Sequence, residues 1–93
     1  MTSTPWLTII TVVKDDAVGF ERTVDSLTSA DLTDIEYVVI DSSSDPGVGA
    51  RALAATAVPG RIEWTPPAGI YAAMNTGLAL ARGSYVYFLN AGD

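Results

Sequence analysis

Cysteine and histidine are both absent from this 93-residue sequence, and lysine and arginine together number only 5. Each shortage excludes a class of chemistry. Without cysteine there is no disulfide scaffold, no thiolate zinc or iron–sulfur site and no cysteine nucleophile. Without histidine, a Ser-His-Asp triad and imidazole acid–base catalysis are impossible within the chain. The basic residues Lys14, Arg22, Arg51, Arg61 and Arg82 stand singly against 11 acidic ones, giving a net charge of −6. A nucleic-acid binder gathers its cations to displace counterions from phosphates, so no nucleic-acid partner is expected, and an anionic membrane surface is disfavoured too. No apolar run approaches the ~20 residues that span a bilayer, and MTSTPW carries no basic-then-apolar signal. The expected compartment is the cytoplasm, with a peripheral place at a membrane left open.

What is present is a well-built apolar pattern, with 48% hydrophobic and 17% charged residues. That composition folds, and the length allows one small domain or part of a larger one. Four β-branched or aromatic runs read as strands: LTIITVV (Leu7 to Val13), IEYVVI (Ile35 to Ile40), RIEW (Arg61 to Trp64) and SYVYFL (Ser84 to Leu89). Three are continuous enough to be covered on both faces, as in a parallel sheet wrapped by helices, whereas RIEW suits an edge. Between them lie three helical stretches. Phe20, Val24 and Leu27 recur at i, i+4, i+7 behind an Asp15 or Asp16 cap. Val48 to Ala57 is alanine-rich and is followed by Pro59-Gly60. In Gly69 to Arg82 a stripe of Ile70, Met74, Leu78 and Ala81 is expected to face the core, with Gly83 as a left-handed C-terminal residue. The order β-α-β-α-β-α-β implies parallel strands and right-handed crossovers. A small flavodoxin-like domain and half of a larger α/β domain fit this pattern equally.

In open parallel sheets ligands bind beyond the C-terminal ends of the strands. Those positions here carry Lys14-Asp15-Asp16, then Asp41 to Gly47, then Asn90 to Asp93. Clustered carboxylates repel unless a cation intervenes, and Mg²⁺ or Mn²⁺ would also bridge to diphosphate oxygens. Asp15, Asp16 and Asp45 also suit plain helix caps, whereas Asp41, ending an apolar strand beside a cleft, is the favoured functional residue. There is no Gly-x-Gly-x-x-Gly after the first strand and no Gly-x-x-x-x-Gly-Lys-Ser/Thr, which removes a dinucleotide fingerprint and a P-loop. A receiver domain needs an Asp at the end of the third strand, where the chain has Trp64-Thr-Pro-Pro.

LTIITVVKDD, YVVIDSSSDPG and AGIYAAMNTGLALARGSYVYFLNAGD, in that order, resemble family 2 glycosyltransferases of the GT-A fold, most of all the colanic-acid and exopolysaccharide-type bacterial members. The likeness spans nearly the whole chain, and GIYxAMNxG followed by FLNxGD is its specific part. It implies a Rossmann-like α/β sheet of strand order 3-2-1-4, the N-terminal nucleotide-binding half of a GT-A domain over residues 1–93. The donor implied is an NDP-sugar, UDP-linked by preference, held with Mn²⁺ or Mg²⁺. Asp41 matches the carboxylate that meets the nucleoside, and Asp93 matches the metal-binding Asp of the D-x-D-like motif. The implied nucleotide-binding set is completed by Val13, Asp15, Ser42, Tyr71, Asn75 and Asn90. Three of these keep a second reading: Tyr71 as a half-buried helix aromatic, Asn75 as a surface amide and Asn90 as a strand-end turn former. Pro67, Ala68 and Ala72 depart from the family's polar residues. The general base of inverting transfer to a saccharide or lipid-linked acceptor is expected beyond Asp93, so the chain alone is expected to be silent. The alternative is a non-catalytic module, or a homodimer, associating through the edge of the fourth strand.

Overall fold

A computed structural model describes residues 4–56 and 58–90 of the chain. Asp93, the expected metal ligand, lies outside the described residues. The elements follow the expected alternation: β1 (Leu7–Val13), α1 (Ala17–Leu27), β2 (Ile35–Asp41), α2 (Val48–Ala54), β3 (Arg61–Trp64), α3 (Ile70–Leu80) and β4 (Tyr85–Phe88). The sheet has the order β3-β2-β1-β4, and every pairing is parallel. That is the α/β arrangement the sequence implied.

The period-two alternation of β1 and β2 feeds two cores. Ile9, Val13, Tyr37 and Val39 face one side, where Phe20, Val24 and Leu27 of α1 and Leu53 of α2 cover them. Ile10, Val12, Val38 and Ile40 face the other, under Ala73 of α3 with Met74 and Leu80 at its margin. Because both faces are covered, neither strand needs a polar side, which explains their continuous apolar runs.

Three expectations change. The contact face of α3 is Ala73 and Gly77, whereas Ile70 and Leu78 remain 50% and 45% exposed. The helix lies too close to the sheet for large side chains at its centre: a Cβ on Gly77 would stand 2.7 Å from Ile10 Cγ2. Gly83 does not adopt a left-handed conformation; Gly69 does, with φ of 96°. Gly83 is required by a close approach to β1, since a Cβ there would meet Thr8 N at 2.6 Å and the Leu7 carbonyl carbon at 2.7 Å. Finally, β4 is not covered on both faces, for Tyr85, Val86 and Tyr87 are exposed. The helices pack over β1 and β2, the centre of the apolar surface, and leave β4 as an edge.

The α3–β4 turn is clamped at the N-terminal end of the sheet by Glu36. Its carboxylate accepts bonds from Thr8 Oγ1 at 2.9 Å, from the Arg82 N–H at 2.9 Å and from Arg82 Nε at 2.8 Å. Burial pushes its pKa up, but the bonds from Arg82 and Thr8 outweigh this and hold it below the usual glutamate value. A depressed folded pKa means stabilisation present above the unfolded value of ~4.3 and lost as pH falls through the lower folded value. Glu36→Gln should therefore cost about 1 kcal/mol at neutral pH and flatten the acid limb of stability, read by urea unfolding across pH.

Candidate functional site

Parallel pairing sends every strand's C-terminal end to one edge of the sheet, and the ladder continues beyond the strands. The Ser42 N–H donates to the Val13 carbonyl, the Thr65 N–H to the Asp41 carbonyl and the Leu89 N–H to the Ile10 carbonyl, each at 2.9 Å. The loops after β1 and β2 and the end of β3 meet at Ser43. Its N–H donates to Asp41 Oδ1, its Oγ accepts from the Asp15 N–H and its carbonyl accepts from Trp64 Nε1, all at 2.9 Å. Asp15, at φ 52°, returns the tie by accepting from the Ser44 N–H at 2.8 Å. Aspartate tolerates this left-handed backbone better than most residues, and two loop-to-loop bonds secure it.

Beside this knot, on the α3 face of the sheet, lies a cleft of about 250 Å³. Its polar wall is Lys14, Asp16, Ser42 and Asn90; its apolar wall is Val12, Pro67, Ile70 and Ala73. The Val12 N–H donates to Asn90 Oδ1 at 3.4 Å, which ties the segment after β4 to β1. Asp16 caps α1 by accepting from the Gly19 N–H at 2.9 Å, so its carboxylate sits fixed at the cleft mouth.

Of the residues expected from the sequence, Ser42 and Asn90 line the cleft. Asp41 does not. It projects to the opposite face, 1% exposed, where Oδ1 accepts from Ser43 and Oδ2 accepts from the Gly49 N–H at 2.9 Å. Asp15 is engaged with Ser43 and Ser44, and Val13 is buried in the α1-side core. Tyr71 is 78% exposed rather than half-buried, and Asn75 is also exposed; neither lines the cleft. Lys14, Asp16, Ile70 and Ala73 are among the lining residues that sequence reasoning left out of the site, with Val12, Pro67 and Gly69. The first two follow β1 directly, and strand-end position was the signal for them. Ile70 and Ala73 gave none, because Ile70 read as a core position of the helix and Ala73 fell outside the expected stripe.

Among the described residues no three acidic side chains gather as a metal cage. The cleft offers one carboxylate, one hydroxyl and one amide, from Asp16, Ser42 and Asn90. These hard oxygens fit a cation such as Mg²⁺ or Mn²⁺ that takes few protein ligands and shares itself with substrate phosphates.

The family model described as Glycosyl transferase family 2 matches residues 8–93. This chain belongs to glycosyl transferase family 2. Two uncharacterized glycosyltransferases of Mycobacterium tuberculosis, one from each of two strains, are 38% identical to it over 96 residues. The alignment covers 100% of this chain and 36% of each relative, so the chain spans about a third of their length. Among solved structures, the mannosyltransferase PcManGT from Pyrobaculum calidifontis, in complex with GDP-Man and Mn²⁺, superposes with a TM-score of 0.79 at 28% identity. That match takes in 98% of this chain and 28% of the mannosyltransferase. The family 2 chain thus has the α/β arrangement of a GT-A glycosyltransferase.

The buried bonds of Asp41 give a stability test for the family 2 fold. Asp41→Ala leaves the Ser43 and Gly49 N–H groups without their acceptor and should cost about 1–3 kcal/mol, read as a lower urea midpoint without any ligand.

Proposed function

We propose that residues 1–93 form the donor-binding half of an inverting glycosyltransferase that takes a nucleoside-diphosphate sugar, UDP- or GDP-linked, with Mn²⁺ or Mg²⁺. The observation that carries this reading is the cleft at the C-terminal edge of the sheet, with one apolar and one polar wall. Val12, Pro67, Ile70 and Ala73 suit the flat face of a nucleobase, whereas Lys14, Asp16, Ser42 and Asn90 suit ribose hydroxyls and phosphates. A bound divalent cation would offset charge developing on the departing nucleoside diphosphate. Asp16 and Asn90, with Asp93 by family resemblance, are the residues to hold it. The complex of the mannosyltransferase with GDP-Man and Mn²⁺ supports the class of donor and of metal. Asp41 supports the site from beneath by ordering Ser43 and the start of α2. The general base and the saccharide or lipid-linked acceptor site belong to polypeptide beyond Asp93, in a cytoplasmic enzyme of polysaccharide synthesis.

Calorimetric titration of the chain with UDP and with GDP tests the reading. Binding strengthened by Mn²⁺ is expected, with the metal dependence lost in Asp93→Ala and no sugar transfer by the chain alone. Absence of binding to either nucleotide overturns it.

The exposed edge favours a second reading. Tyr85, Val86 and Tyr87 leave an apolar strand open to pairing with another chain. Sedimentation should then show a dimer at high concentration that Val86→Lys disperses; a strictly monomeric wild type excludes it.

A further inference from the structure

The donor cleft lies in a chain of net charge −6, so a diphosphate must be drawn in against the overall field. The basic residues are unequally free to help. Arg51 pairs with Asp45 at 2.8 Å, Arg61 with Glu63 at 3.3 Å and Arg82 with Glu36 at 2.8 Å. Arg22 sits on the exposed side of α1, away from the cleft wall. Lys14 is the basic residue that lines the cleft, and among the described residues no ion pair takes it up. Of its two acidic neighbours in sequence, Asp15 accepts from Ser44, whereas Asp16, held by the Gly19 N–H, shares the cleft wall with Lys14. The same Asp15 bonds, with the Asp15 N–H on Ser43 Oγ, fix the backbone from which Lys14 projects. Lys14 therefore joins the cleft wall from a positioned backbone, not from a free loop.

We infer that Lys14 is the phosphate-contacting residue of the cleft and makes it select nucleoside diphosphates over uncharged nucleosides, with or without a divalent cation. This rests on the donor-binding reading and adds to it a cation supplied by the protein itself. A charge-assisted bond from an ammonium to a phosphate oxygen is one of the stronger contacts available to a small site.

The test is calorimetric titration of the full chain with UDP, GDP, uridine and guanosine, each with and without Mn²⁺. Lys14→Met should weaken UDP and GDP binding about tenfold or more while leaving the nucleosides within about twofold, in both metal conditions. Lys14→Arg keeps the charge and should recover most of the diphosphate affinity. Unchanged diphosphate affinity in Lys14→Met overturns the inference and leaves the donor reading standing. Equal losses for nucleosides and diphosphates also overturn it, since they would mark a structural role. A wild type that binds none of the four probes sinks the donor reading and this inference with it.

Discussion

The parallel pairing of β1 with β2 on one side and β4 on the other is the constraint on which the remainder depends. A parallel sheet places all strand exits on one edge, so residues after Val13, Asp41 and Phe88 become neighbours despite their distance in sequence. The pairing is held by burial of β1 and β2 on both faces. Moving either strand by one residue would exchange the α1 and α3 sides for its whole set of side chains.

At that edge, hydrogen bonding takes over from apolar packing. Ser43 joins the end of β2, the loop after β1 and the end of β3 through its N–H, its hydroxyl and its carbonyl. Asp41, buried beneath, accepts from Ser43 and from Gly49, and Gly49 is small because a Cβ would come within 2.5 Å of Asp41 Oδ2. A buried carboxylate is costly unless its oxygens are satisfied, and here backbone N–H groups satisfy both. The outcome is a rigid floor beside the cleft. Its mouth is then shaped by Asp16, fixed as a helix cap, and by Asn90, tied to Val12.

The other wall comes from α3, and small residues decide its position. Ala73 and Gly77 let the helix settle onto Ile10 and Ile40. This approach brings Ile70 and the Pro67–Gly69 turn to the cleft. Larger residues at 73 or 77 would lift the helix and open the wall. Thus the packing of an apolar face and the shape of a polar site are set by the same two positions.

Strand runs, element order and the family were legible along the sequence, because β-branched runs, turn residues and the ordered motifs from GIYAAMNTG to FLNAGD are local signals. Composition also excluded cysteine and histidine chemistry outright. The side of the sheet that a strand-end residue faces was not legible. Asp41 and Ser42 are adjacent, yet only Ser42 reaches the cleft, because alternation along an extended chain sends neighbours to opposite faces. Nor could periodicity show that α3 would contact the sheet most closely through Ala73 and Gly77, with Ile70 and Leu78 left exposed. Apolar patterning records which residues avoid water; which of them sit at the line of closest approach depends on the distance between helix and sheet, and tertiary packing alone sets that distance.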